Sequence, residues 1–248
     1  MKNYFEKQFE LRYFEMNKFQ EASPTTMLTL LEETAADHCH AIGNSLFDLL
    51  NRNIGWVLVS GTMQIERYPK YKENIKIRTW LSEFTTIKGI RENIIYDEKN
   101  HIIGRSKGMW LYFDIQKRRP VPIDKVFFDK WGIDKEQSME YNLKQKISPI
   151  EISENPLEYK VNNFDIDSNQ HVNNIRYLQW AMDTMPQHFL DMHTLSGIDG
   201  SFLSEAKYGD IIISDTLAGE KENSFRHTIR TAKDEKVCVV AQTYWKLR

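Results

Sequence analysis

The strongest constraint on how this chain can fold is a recurrence. A strand-like stretch, a helix start, a long amphipathic helix and four β-rich stretches follow one another in that order, and then do so again. Residues 4–14 mix aromatic and charged side chains as a strand does. Ser23-Pro24 then reads as an N-cap and first helical position, with Leu28, Leu31, Ala35, Cys39 and Ile42 following at helical spacing. Stretches rich in Ile, Val, Trp, Tyr and Thr come next, near 54–68, 75–83, 87–97 and 101–114, with Asp97-Glu98-Lys99-Asn100 as a hairpin turn. In the second round a strand near 158–164 precedes a helix carrying Ile175, Leu178, Met182, Met185 and Phe189, then strands near 198–206, 210–219, 224–232 and 236–247. Setting Glu15 against Asp165 also sets Ala22 against Val172, Ser23 against Asn173 and Leu28 against Leu178, so both helices start at the same place. Trp110 and Trp245 match at a shorter offset, which a shorter helix-to-strand connection in the second copy explains. A helix with one apolar face must bury it, and an antiparallel sheet offers the surface. The expectation is an α+β chain of two such units, each a long helix across its own antiparallel sheet, with the sheets joined side by side.

At 248 residues the chain has room for two domains of ordinary size. Residues 129–156 are weakly periodic and carry Pro149 and Pro156, so they read as a linker between units at 1–128 and 157–248. With 41% hydrophobic residues there is material for a core, and 33 basic against 35 acidic side chains give no global field that would favour nucleic acid or a membrane surface. Cys39 and Cys238 are far apart and form no metal-binding or disulfide pattern. The N-terminal residues lack an apolar targeting core, and no later apolar run approaches spanning length; a cytoplasmic location is expected.

The two copies differ in chemistry. Asn163 to Asn174 reads Asn-Phe-Asp-Ile-Asp-Ser-Asn-Gln-His-Val-Asn-Asn and runs straight into the second helix, for which Asn173 or Asn174 is a ready N-cap. Carboxylates, amides and an imidazole thus meet a helix N-terminus, whose unpaired N–H groups can polarise a carbonyl or hold an oxyanion. Opposite Asp167, Asn169 and His171 the first copy has Asn17, Phe19 and Glu21. The acid–amide–imidazole set occurs once.

The stretch Asp165-Ile166-Asp167-Ser168-Asn169-Gln170-His171-Val172-Asn173-Asn174-Ile175-Arg176-Tyr177 closely resembles the hallmark segment of the acyl-ACP thioesterases, which release fatty acids from acyl carrier protein. Trp56-Val57-Leu58-Val59, Met63 to Pro69, Ile77-Arg78-Thr79-Trp80, Gly104 to Trp110 and Arg118-Arg119-Pro120-Val121 resemble that family's first-half signatures, so nearly the whole chain is covered. The resemblance implies a tandem, or double, hotdog fold with a degenerate N-terminal hotdog that binds the acyl chain and a C-terminal hotdog with the catalytic residues. It implies an acyl carrier protein partner with a phosphopantetheine-linked fatty acyl chain, no metal or organic cofactor, no nucleic acid and no stable membrane association; a homodimer is compatible with it. It places the family's functional aspartate, asparagine and histidine on Asp167, Asn169 and His171, and its strand glutamate on Glu205 within Phe202-Leu203-Ser204-Glu205-Ala206. Many plant members have a cysteine directly after that glutamate; here it is Ala206, so a Cys–His–Asn acyl-enzyme route has no nucleophile.

Thioester hydrolysis needs a base for water and donors for the developing oxyanion. His171 with Glu205 would supply the first, N–H groups near Asn173 and Asn174 the second, with Asn169 placing thioester or water and Asp167 orienting the set. In a rival scheme, that of the single-hotdog 4-hydroxybenzoyl-CoA thioesterases, Asp167 would itself attack or activate water. An acyl-CoA hydrolase and an acyl-binding protein without turnover also remain open. Spacing alone leaves His171 open between a helix-start hydrogen bond and a catalyst, and reads Glu205 as an ordinary strand residue. Asp165 reads as a turn anchor. Asp37-His38-Cys39-His40 holds metal-ligand residue types, but His38 and His40 point to different sides of a helix, which favours a structural reading. Lys117-Arg118-Arg119 is either solvated surface or a docking point for an acidic carrier.

Overall fold

Ser23 and Asn173 do start the two helices around which the chain is organised. Ser23 Oγ accepts the Thr26 N–H at 3.0 Å, and Asn173 Oδ1 accepts the Ile175 N–H at 2.8 Å. The computed structural model describes residues 3–153 and 156–248. They form two units, one of Met1–Leu58 with Met63–Leu143, the other of Val59–Thr62 with Lys144–Arg248.

In the first unit β1 (Phe5–Glu10) leads through a 3₁₀ turn, Tyr13–Glu15, to α1 (Pro24–Ala41) and the short α2 (Leu46–Leu50). Then come β2 (Ile54–Ile65), β3 (Asn74–Phe84), β4 (Lys88–Tyr96), β5 (Ile102–Asp114), the two-residue β6 (Arg119–Pro120) and α3 (Lys125–Trp131). The strand order is β1-β3-β4-β5-β2, with β6 paired to β5. In the second unit β7 (Leu157–Lys160) and a 3₁₀ turn, Asn163–Asp165, precede α4 (Asn174–Asp183), α5 (Gln187–Met192), β8 (His193–Phe202), β9 (Ile211–Ala218), β10 (Ser224–Thr231) and β11 (Val237–Leu247). Its order, β7-β9-β10-β11-β8, repeats that of the first unit strand for strand. The ladders β1–β3–β4–β5 and β7–β9–β10–β11–β8 are antiparallel throughout. Each long helix packs on its own sheet, α1 against β1 and β3, α4 against β9, β10 and β11.

Three features depart from the sequence pattern. The first strand after the second helix, expected near 198–206, runs from His193 to Phe202. The second helix does not run on to Phe189: it stops at Asp183, and α5 begins after Pro186, which has no N–H to continue α4 and restricts the residue before it. The face that α1 buries is Met27, Leu30, Leu31, Thr34, His38 and Cys39, a stripe turned away from Leu28 and Ala35 because two of its members are polar. Thr34 Oγ1 donates to the Leu30 carbonyl at 2.7 Å, and His38 Nδ1 faces the Arg91 guanidinium at 3.2 Å. His38 is buried and His40 exposed.

Each unit fixes part of segment 129–153 through one fully buried carboxylate. Glu92 on β4 accepts from the Ser82 and Ser138 hydroxyls and the Ser138 N–H, and pairs with Lys107 on β5 at 3.3 Å. Asp215 on β9 accepts from the Ser153 N–H and hydroxyl and pairs with Arg230 on β10 at 3.4 Å, while Arg230 donates to the Ile150 carbonyl at 2.6 Å. Polar backbone that would otherwise lie unpaired against the sheets is thereby satisfied. Glu92→Gln leaves the Lys107 ammonium buried without its countercharge and is expected to cost about 3 kcal/mol, read as a shifted urea midpoint.

His38 and His227 are both buried, and that burial brings each down to about 3, with Arg91 adding to the effect at His38. Both imidazoles are neutral in the fold, whereas an unfolded imidazole takes up a proton below its ordinary value of about 6.5. The stability they contribute is therefore complete above that value and lost as the pH falls towards 3. Between pH 7 and pH 5 each is expected to remove about 2 kcal/mol, and His227→Gln should flatten that part of the pH–stability curve.

Candidate active site

The polar segment before α4 is a turn built around one oxygen. Asp167 Oδ1 accepts the N–H of Asn169 at 2.8 Å and of His171 at 3.4 Å, while the Asp167 N–H donates to the His171 carbonyl at 2.8 Å. Gln170 takes a positive φ of 66° to close it, and Ile166 and Val172 pair across its base. Just upstream, Asp165 accepts the Asn162 N–H at 2.8 Å and holds Arg176 at 3.2 Å, and its carbonyl accepts the Asn173 N–H at 2.9 Å. The turn is thereby locked to the first turn of α4.

The first unit holds the same turn with different side chains. Asn17 Oδ1 accepts from Phe19 N–H at 2.8 Å and Glu21 N–H at 3.4 Å, Gln20 has φ 62°, Met16 and Ala22 pair across the base, and Ser23 N–H donates to the Glu15 carbonyl. An amide oxygen and a carboxylate oxygen serve the backbone alike. Holding the turn therefore accounts for an oxygen at position 167 but not for its charge, nor for the imidazole at 171.

Glu205 lies three residues past the end of β8, in an irregular connection rather than in a strand. The ladder stops because the N–H groups of Leu203 and Ser204 both converge on the Cys238 carbonyl, at 2.8 and 3.2 Å. The connection is then pinned to α4: the Ala206 N–H donates to Tyr177 Oη at 2.8 Å. Tyr177 is 2% exposed, and burial pushes its phenol well above its ordinary range, so it stays a neutral hydroxyl. Further on, Lys207 N–H bonds Asp210 Oδ2, and Asp210 and Gly209 bond Val161. The outcome is that Glu205 Oε2 stands 3.4 Å from His171 Nε2, both side chains part-buried at 25% and 20%. By the same hydrogen-bond pattern, in which Lys70 N–H bonds Glu73, Tyr68 stands in the first unit where Glu205 stands in the second.

His171 and Glu205 meet, and Asp167 touches His171 through its main chain. Asn169 is held in the turn by its N–H and is part-buried. Asn173 is the N-cap, and its own N–H is taken by Asp165, so it has none to offer a ligand. Asn174, the first helical residue, keeps its N–H unbonded among the described residues, at the positive end of α4. Tyr177 was not singled out by spacing; the signal available was a tyrosine on the buried face of an amphipathic helix, whose hydroxyl must find a partner. Among the described residues no cluster of three or more His, Cys, Asp or Glu has metal-binding geometry. Lys117 pairs with Asp114 at 3.3 Å, and Arg119 is exposed on β6.

A long helix on a five-strand antiparallel sheet, made twice in one chain with the polar helix start equipped once, defines a tandem hotdog protein. Residues 2–131 match the family model of the acyl-ACP thioesterase N-terminal domain and residues 149–247 that of the C-terminal domain. The chain belongs to the acyl-ACP thioesterase family. It is 25% identical over 261 residues to an acyl-[acyl-carrier-protein] hydrolase of Cuphea viscosissima, a match covering 98% of this chain and 62% of that one. Its fold is similar to those of the 12:0-ACP thioesterase from Umbellularia californica (TM-score 0.87, 18% identity, 100% and 99% of the two chains) and an acyl-ACP thioesterase from Bacteroides thetaiotaomicron (TM-score 0.84, 20% identity, 98% of each).

Tyr177→Phe keeps the ring but leaves the Ala206 N–H buried with no acceptor. It is expected to lower stability by about 2 kcal/mol, measured by thermal melting, and to loosen the Glu205 connection, measured as faster amide exchange at 205–207.

Proposed function

We propose that the chain hydrolyses fatty acyl-ACP thioesters to free fatty acid and acyl carrier protein, as a cytoplasmic enzyme that ends chain elongation. The observation that carries this reading is the His171–Glu205 pair beside the start of α4, in a chain of this family. Glu205 holds the imidazole and a water between them, and His171 takes the proton as that water adds to the thioester carbonyl. The Asn174 N–H, at the positive end of the helix, faces the oxygen that becomes negative, and the Asn169 amide places the thioester. When the tetrahedral adduct collapses, the proton on His171 passes to the leaving phosphopantetheine thiolate. The first unit, whose turn carries Asn17, Phe19 and Glu21, takes the acyl chain.

Asp167 as nucleophile is the weaker scheme. Its Oδ1 already accepts two N–H groups, and Asn17 fills the same place without a charge. Its oxygen acts through the turn, by fixing where His171 stands.

Single-turnover release from carrier-bound acyl chains tests the assignment. His171→Ala and Glu205→Gln are each expected to slow the chemical step by about 10²- to 10⁴-fold, with acyl-ACP binding little changed. Asp167→Asn, which preserves the turn's acceptor, should cost far less. Full activity in Glu205→Gln, or loss in Asp167→Asn as deep as in His171→Ala, would shift the base to Asp167. A strong preference for the same acyl chain on coenzyme A would overturn the carrier-protein substrate.

A further inference from the structure

Among the described residues three Lys and Arg side chains are buried: Lys107, Arg230 and Arg91. The first two face carboxylates, Glu92 and Asp215. Arg91, on β4 of the first unit and 7% exposed, faces none among the described residues. One arm of its guanidinium donates to His38 Nδ1 at 3.2 Å and to Thr79 Oγ1 at 3.0 Å, and the group lies over the Trp131 ring, 5.2 Å from its centre. Neutral acceptors and an aromatic face do not replace a countercharge, and a buried ion without one is strongly destabilising.

Of the unpaired polar groups around Arg91 two are donors, and one is an acceptor, Asn93 Oδ1, on β4 opposite Thr79. Because His38 Nδ1 accepts from Arg91, its proton sits on Nε2. The indole Nε1–H groups of Trp131 and Trp56 are buried and bond to no described residue. These rings belong to one cluster: His38 is 4.9 Å and Trp56 6.5 Å from Trp131, centre to centre. Phe84, Leu81, Tyr112 and Cys39 make the rest of the cluster apolar. A native interior pairs nearly all its polar groups, so a cation with unpaired donors in an apolar setting has the form of a recognition site for an anionic head on a greasy body.

We propose that the aromatic core of the first unit holds the carboxylate end of an aliphatic chain, with Arg91 as its countercharge and the indole N–H groups of Trp131 and Trp56 as further donors. Two sources supply that chemistry: a free fatty acid, the product class of the proposed reaction, or an acyl thioester bearing a second carboxylate at its far end. The source rests on the proposed function; the site does not.

Calorimetric titration of decanoate into the full chain, with decanol as the uncharged control, tests it without any turnover. Decanoate is expected to bind at least about tenfold more tightly than decanol. Arg91→Met, which keeps the length of the side chain, should remove that difference without lowering the melting temperature, since it also removes an uncompensated buried charge. Trp131→Phe, which keeps a ring over the guanidinium and deletes one donor, should weaken decanoate about three- to tenfold. Equal binding of decanoate and decanol, or decanoate affinity that survives both substitutions, would overturn the site. If Arg91→Met does not fold, Trp131→Phe decides alone. A wild-type preference for carrier-bound chains with an ω-carboxylate, abolished in Arg91→Met, assigns the substrate as source; decanoate binding without that preference assigns the free acid. Hydrolysis intact with no decanoate bound removes this inference alone, and decanoate binding in a chain that hydrolyses nothing removes the enzymatic reading alone.

Discussion

The site depends on a single acceptor atom. Asp167 Oδ1 gathers two N–H groups, and in doing so it fixes the path of the backbone from 167 to 171 and hence where the His171 ring begins. From there the dependence runs along the chain. The turn delivers Asn173 to the cap, the cap fixes the rotation of α4, and that rotation buries Tyr177 with its hydroxyl against the Ala206 N–H. Glu205, more than thirty positions after His171, is placed by this relay. Its own backbone is not in a ladder, so without the tyrosine it would be held only from its two flanks, by Leu203 and Ser204 on one side and by the Lys207–Asp210 and Val161 bonds on the other.

Ionic groups inside the two sheets serve a different purpose. Glu92 and Asp215 each gather hydroxyl and N–H donors from irregular backbone beside the sheet, and each has a cation alongside to offset the cost of its burial. Such pairs add little net stability over apolar packing, but they make a wrong path for the neighbouring backbone expensive, because it would leave a charge unsatisfied. Arg91 stands out against that background: among the described residues the fold pairs a buried cation with a carboxylate twice, and no described carboxylate faces Arg91.

Most of the architecture was legible in the sequence because duplication and periodicity are both local records. The matching of Ser23 with Asn173 located both helix starts, and the β-rich stretches located most of the strands that follow the helices, though the one expected at 198–206 lies at His193–Phe202 and the two-residue β6 was not foreseen. Helix ends were less legible. Apolar spacing carries through Met185 to Phe189, yet Pro186 breaks the backbone hydrogen bonding beneath it, and a backbone interruption leaves no mark on an apolar stripe. The buried face of α1 was displaced for a related reason: Thr34 and His38 are polar by type and become core only through partners contributed by Leu30 and by Arg91, far away in sequence. In the site, Asp167, Asn169 and His171 were visible as a cluster, but Glu205 on its own is an unremarkable acid, and only the resemblance singled it out. Tyr177 stayed hidden because its partner is a main-chain N–H, a group every residue has.

The two turns, alike to the angstrom in their main-chain bonds, also bear on history. A loop that has the same shape with different side chains has a shape with its own reason to persist, here the entry into a long helix that the sheet needs in order to be covered. The frame is common to both units, while the acid–amide–imidazole set stands in one. The copy without it was left at liberty to change what its interior holds, and the distance between the two states is a few side chains, with Tyr68 in the place of Glu205 the least easily reversed because its ring is part of the core.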